Sequence, residues 1–217
     1  MAQFAVIGLG RFGSAASIEL TKMGHSVLGV DNDSKVINRY ADEISRAVIA
    51  DVTEKAALEE LGLDNYDNVL VAIGDDIQAS LVCVVHLKSL GITSIWVKAI
   101  SHAQHLILSK LGVQRIIHPE EEMGIRVSQM LSYPMVNDYI SLGNGDFVVE
   151  ITASDRLEDA TIGEVVHSKN GAVKVLLIKR RTQSFVHPED NFALQPKDIV
   201  ILFGPLQALR TIAPKLI

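Results

Sequence analysis

The sequence predicts an α/β protein: a Rossmann-like, doubly wound parallel sheet followed by a crossover helix and a small α+β C-terminal lobe. Three observations lead there. From Gln3 to about His118, short β-branched apolar runs alternate with longer segments of helical period. The first of those runs breaks at once into Gly8-Leu9-Gly10-Arg11-Phe12-Gly13, and the rhythm changes beyond Gly143-Asn144-Gly145-Asp146. Near-continuous apolar strands separated by helices imply a parallel sheet covered on both faces.

The strands are read, in order, from "QFAVIG", "SVLGVD", "RAVIAD", "NVLVAIG", "SIWVKA" and "QRIIHP". Between them, "RFGSAASIELTKMG", "SKVINRYAD", "EKAALEELG", "IQASLVCVVHLKSLG" and "AQHLILSKLG" carry helical apolar spacing, most of them with a glycine just past the last turn. A further helix begins near Pro119 through "EEEMGIRVSQMLSYP", and Pro134 should end or kink it. Beyond the glycine turn, "FVVEITAS", "AVKVLLIKR", "SFVHP" and "DIVILFG" read as strands, "TIGEVVHSKNG" and "PLQALRTIAPKL" as helical. The expected organisation is a nucleotide-binding domain over 1–122, a crossover helix and linker over 123–144 and a small lobe over 145–217. A lobe of about 70 residues lies near the lower end of independent domain size and is expected to dimerise.

Composition narrows the classes. Of 217 residues 48% are hydrophobic, yet no apolar stretch reaches the roughly 20 residues that span a bilayer, so the surplus is assigned to core and subunit interface. No basic or apolar leader precedes the first strand, so a cytoplasmic protein is expected. The single cysteine, Cys83, rules out an intrachain disulfide and sits on a helical apolar pattern as a small buried side chain. A formal net charge of −6 denies the chain the positive field that nucleic-acid binding needs.

In the glycine loop the first glycine permits the strand-to-helix reversal, the second lets a pyrophosphate approach the backbone, and the third lets helix and strand pack closely. The helix start then offers N–H groups to anionic oxygens. Asp31, ending the second strand, stands where the ribose-hydroxyl ligand of this fingerprint belongs, and its charge disfavours a 2′-phosphate. Asp33 is expected to cap the next helix. Arg11 either reaches over the phosphates as a fork of donors, suiting a nucleotide with extra terminal charge, or faces solvent or an acid of a neighbouring subunit. The loop therefore leaves NAD and ATP both open.

Other strand ends border the same crevice. Asp51 and Thr53 follow the third strand, with Thr53 read as an N-cap. Ile73 and Gly74 follow the fourth, and Lys98 ends the fifth, where it can neutralise phosphate or pair with an acid. Glu120, Glu121 and Glu122 fill a first helical turn, which the helix dipole favours and a hard cation would also accept. His102 and His105 are read as surface residues. The chain after His118 shows no evident proton-donor arrangement for a dehydrogenase, which lowers an enzymatic reading.

Taken together, "FAVIGLGRFG", Asp31, "ADVT", "VAIGDDIQAS", "WVKA" and "IIHPEEEMG" closely resemble the regulatory subunits of Ktr-type bacterial potassium uptake systems, the KTN/RCK family, along essentially the whole chain. The resemblance implies a non-enzymatic protein, peripheral on the inner face of the membrane. Its homodimers would assemble into an octameric ring beneath a potassium-translocating, KtrB-like subunit. It implies activation by ATP and inhibition by ADP, with NAD(H) admitted to the same pocket. Carried over by position, Gly8, Leu9, Gly10, Arg11, Phe12 and Gly13 form the phosphate loop, with Arg11 at the terminal phosphate and Asp31 at the ribose. Asp51, Val52 and Thr53 border the adenine, and Ile73, Gly74 and Lys98 lie near the ligand. Glu120 matches the acid associated with Mg²⁺ or Ca²⁺ at the dimer interface of some members. Some relatives bind cyclic di-AMP in the C-terminal lobe through an arginine where this sequence has His167, beside Ser168 and Lys169, a departure from that pattern. The alternatives are a small NAD-dependent oxidoreductase and an NAD(H)-responsive module with another partner.

Overall fold

A computed structural model of the chain describes residues 1–132, 136–157, 160–166 and 171–217. Pro134 and residues 167–169 lie outside these. Two compact units divide the chain, Met1–Met123 and Gly124–Ile217.

The first unit holds six strands, β1 (Gln3–Ile7), β2 (Ser26–Asp31), β3 (Arg46–Ile49), β4 (Asn68–Val71), β5 (Ile95–Lys98) and β6 (Arg115–Ile117). Every neighbouring pair is parallel, in the order β3-β2-β1-β4-β5-β6. The order reverses between β1 and β4, where Phe4 stands beside Asn68 and Ile7 beside Val71. At such a reversal the flanking loops diverge and leave a crevice beyond the carboxyl ends of the strands. Five helices connect the strands: α1 (Arg11–Lys22), α2 (Ser34–Tyr40), α3 (Lys55–Glu60), α4 (Ile77–Ser89) and α5 (His102–Lys110). Asp33, Asp76 and Ser101 cap α2, α4 and α5 by accepting from Lys35, Ala79 and Gln104 backbone N–H groups. The strands are apolar on both faces because helices cover both: Ala5, Ile7, Val30 and Val71 meet α4 and its neighbours, while Val6, Val27 and Leu9 meet the α1–α2 side. Cys83 belongs to this core, and burial pushes its thiol up to about 12, so it stays an unreactive thiol at neutral pH.

Helix α6 (Pro119–Ser132) runs from the first unit into the second and buries none of its own residues. The second unit is built on an antiparallel sheet of β7 (Asp138–Gly143), β8 (Asp146–Thr152), β9 (Lys174–Arg180), β10 (Gln183–Val186) and β11 (Ile199–Pro205), ordered β10-β9-β11-β8-β7. Two short helices, α7 (Ile162–Val165) and α8 (Leu206–Ile212), help to close its core. The turn at 143–146 does not separate linker from lobe. It closes the hairpin of β7 and β8, with Gly143, Asn144 and Gly145 all at positive φ, so the sheet reaches back into the stretch read as linker. Strand β7 escaped the sequence reading because it carries little inward apolar pattern: Ile140 and Leu142 are exposed, and the strand is held by pairing with β8 and by one terminal nitrogen of Arg126 that donates to both Asp138 oxygens.

Within that unit Asp198 is 1% exposed and accepts from both Nε and a terminal nitrogen of Arg180 at 2.8 and 2.7 Å. The carboxylate holds the guanidinium above its ordinary value, against the effect of burial. Arg180→Lys keeps the charge and loses the fork, so denaturant unfolding should show a loss of about 1–2 kcal/mol; an unchanged midpoint would refute the pairing as a stabiliser. Among the described residues no helix is long and apolar enough to cross a membrane.

Candidate nucleotide-binding site

The loop between β1 and α1 is set by two glycines that the protein itself requires. Gly8 has φ +92°, and a side chain there would lie 3.0 Å from the Ile73 backbone nitrogen. Gly13 allows the closest approach: a Cβ would stand 1.9 Å from the Gly8 carbonyl oxygen, so α1 can lie this near its own strand only without a side chain. Gly10 differs. It caps α1 with ordinary extended backbone, φ −63° and ψ −170°, and a Cβ on it would meet no protein atom within 4 Å. Neither the fold nor the backbone conformation demands glycine there; the open space suits a group from outside.

What fits that space follows from the helix end. No side chain caps α1 and no acid occupies its first turn, so its N-terminus presents backbone donors and the positive end of the dipole to the crevice. Arg11 is exposed beside it and adds a cation. Leu9 and Phe12 serve the loop through packing, Leu9 buried in the α1–α2 side of the core and Phe12 half-buried against it. These residues fit a phosphorylated ligand.

Asp31 has a double role. One carboxylate oxygen accepts from the Leu9 N–H at 2.8 Å and the other from the Asp33 N–H at 3.0 Å. The acid thus fixes the loop that would hold phosphates while each oxygen keeps a lone pair for ribose hydroxyls. After β3, Asp51 Oδ1 accepts from the Thr53 N–H at 2.9 Å and from its hydroxyl at 2.6 Å. This corrects the reading of Thr53 as a helix cap: Glu54 holds that position, and the threonine hydroxyl is turned to the aspartate. The hydroxyl, then the backbone N–H, hold the Asp51 carboxyl below its ordinary value. Val52 is buried between them, so only its backbone remains for a ligand.

Ile73 packs against the central core, and Gly74 leaves room for the Lys98 side chain, whose Nζ would be 3.1 Å from a Cβ there. Lys98 is nearly buried and donates to Glu120 Oε1 at 2.6 Å. Of the two readings of Lys98, the structure gives the pairing with an acid. That hydrogen bond, followed by smaller effects that include the charges of Lys98 and Arg11, holds Glu120 below the usual glutamate range, against desolvation. Arg11 and Glu120 therefore share one electrostatic neighbourhood. The sign of the linkage is definite: with the folded value depressed, the ionised carboxylate favours folding above the ordinary glutamate value, and that contribution is lost as pH falls through the lower folded value. NMR titration of the carboxyl carbon should place Glu120 low in the wild type and higher in Lys98→Met; an equal midpoint in both would exclude the ion pair in solution.

The Glu120 carboxylate already holds an ammonium, and no group of three histidine, cysteine or acidic side chains among the described residues is arranged for a metal. Exposed His102 and part-exposed His105, together with His118, line a cleft of about 570 Å³ with Ser101, Glu120 and Glu121. His105 Nδ1 and His118 Nε2 are 2.9 Å apart while the ring centroids are 5.1 Å apart, so the nitrogens face each other along the line of centres. That is the geometry of an N–H···N bond, not of two ligands converging on one ion.

The family model described as TrkA-N domain matches residues 4–119, and that described as TrkA-C domain matches residues 147–216. The chain is 41% identical over 203 residues to Ktr system potassium uptake protein A of Bacillus subtilis, covering 93% of this chain and 91% of that one. It belongs to the KtrA-like RCK family. A second member, Ktr system potassium uptake protein A of Vibrio alginolyticus, is 38% identical over 95% of this chain and 94% of its own length. Among solved structures, the GsuK channel bound to NAD superposes with a TM-score of 0.56 at 19% identity, over all of this chain and 38% of the channel, a likeness of RCK fold.

Proposed function

We propose that this protein is the cytoplasmic regulatory subunit of a Ktr-type potassium uptake system, peripheral on the inner face of the membrane beneath a potassium-translocating subunit. Homodimers assemble into an octameric ring, ATP favours the active state, ADP the inactive one, and NAD(H) can enter the same loop. Family membership along more than nine-tenths of the chain supports the regulatory role over a dehydrogenase. The single observation that carries the nucleotide part is Gly10, a glycine with no internal reason to be one, placed at an uncapped helix start beside Arg11.

Regulation then requires a difference of affinity: a ligand moves a two-state ring only as far as it prefers one state over the other. The terminal phosphate of ATP, within reach of Arg11, is the group that ADP lacks. Potassium uptake in cells lacking this chain, with and without the wild-type gene restored, tests the role. Restored uptake is the expected result; uptake that is indifferent to the chain overturns the proposal.

A further inference from the structure

We infer that His86 is a positioning residue for the adenine end of the nucleotide site, an inference that rests on the reading of residues 51–53 as the base-binding loop. His86 lies near the end of α4, on the helix that buries Cys83, Val84 and Leu87 against the sheet. Its Nε2 is 3.0 Å from the carbonyl oxygen of Thr53, 33 residues earlier in the chain. A carbonyl only accepts, so Nε2 carries the hydrogen and donates it.

The loop is otherwise tied by its own atoms and by the neighbouring strand. Thr53 gives its N–H and its hydroxyl to Asp51 Oδ1, Glu54 N–H donates to the Asp51 carbonyl at 3.2 Å, and Ala50 N–H donates to the Asp31 carbonyl at 3.0 Å. Those bonds fold the loop on itself and fix its first residue. Among the described residues, His86 is the one side chain outside residues 50–54 that bonds to them. It holds the far end of the loop to a helix whose inward face is buried in the core, and so sets where Asp51 and the Val52 peptide stand. Thr53 has its hydroxyl, N–H and carbonyl engaged inside the protein, which makes it the anchor of the loop and leaves its neighbours to meet the base.

The consequence is selectivity. Phosphate and ribose contacts are made by the glycine loop and Asp31, which His86 does not touch, so its loss should weaken recognition of the base and spare the rest. The test is calorimetric titration of the full-length protein with ATP and with UTP, in the wild type, His86→Ala, His86→Gln and His86→Asn, with thermal midpoints measured alongside. The wild type should prefer ATP. In His86→Ala the ATP dissociation constant should rise about tenfold while that for UTP changes by less than about twofold, the size expected from losing one well-placed hydrogen bond. The glutamine amide nitrogen reaches about as far as Nε2 and should restore the preference; the asparagine amide falls short and should not. These two variants decide the matter should the alanine variant fold poorly. An ATP-to-UTP ratio that stays at the wild-type value in His86→Ala and His86→Asn overturns the positioning role. A wild type that binds ATP but shows no base preference overturns the base-loop assignment, and with it the role of His86, while leaving the phosphate loop standing. A wild type that binds neither nucleotide overturns the ATP reading, and with it the role of His86.

Discussion

Gly13→Ala should cripple the first unit, and Gly10→Ala should leave its stability where it was while abolishing tight nucleotide binding. Only Arg11 and Phe12 separate the two positions, and the same methyl group meets opposite surroundings. At Gly13 the new carbon would sit 1.9 Å from the Gly8 carbonyl oxygen and 3.2 Å from the Ala72 side chain. A backbone atom cannot step aside as a flexible side chain can, so α1 must lift off the strand that it follows. The expected cost is about 3–5 kcal/mol, seen as a fall in melting temperature on the order of 10 °C. At Gly10 the methyl meets no protein atom, and φ −63° with ψ −170° suits alanine as well as glycine. Stability should shift by no more than about 0.5 kcal/mol. The methyl would nevertheless stand where a phosphate approaches the helix start, and ATP affinity should drop by at least about tenfold. Unaltered ATP binding in a well-folded Gly10→Ala protein would remove the argument that this glycine is reserved for a ligand.

Arg11→Ala should erase the distinction between ATP and ADP. The side chain is exposed, so its loss removes no packing and should barely change the melting temperature. A charge-assisted hydrogen bond is worth about 1.5–3 kcal/mol, so a wild-type preference for ATP of about ten- to a hundredfold should collapse towards unity, with AMP affinity little changed. The same variant has an independent readout. Arg11 is one of the charges that holds Glu120 low, so its removal should let the Glu120 midpoint rise by a small amount, less than in Lys98→Met. A preserved ATP preference would mean that Arg11 faces solvent or another subunit, the alternative reading of that residue.

Much of this was legible because parallel strands and their helices announce themselves locally. The six strands of the first sheet are largely apolar runs ending at turns, and the proposed ligand residues stand at fixed offsets from those ends, so Gly8, Gly10, Gly13 and Asp31 could be placed by pattern alone. What pattern could not supply is where a polar group turns once several partners are in reach. Thr53 had the spacing of a cap and bonds to Asp51 instead. Lys98 could have served a phosphate and lies on Glu120, an acid 22 residues away. His86 gave no signal, since its partner is a backbone carbonyl, and His105 and His118 meet only because α5 folds back beside β6. Strand β7 was hidden for a related reason: its place in the sheet comes from backbone pairing and the Arg126–Asp138 ion pair, neither of which leaves a period in the sequence.

The position of β1 at the centre of its sheet also orders events in time. It is made before both of its neighbours: β2 follows from Ser26, while β4 begins only at Asn68. At roughly 5–20 residues per second on the ribosome, one edge of an almost wholly apolar strand waits several seconds for that partner. During that wait the Asp31–Leu9 bond can form, and the seat of Gly8 against Ile73 cannot. The acid proposed for the ribose can therefore bond to its loop before that loop is seated on β4. A nucleotide bound at the proposed site would fasten the sheet late, once β4 has joined it.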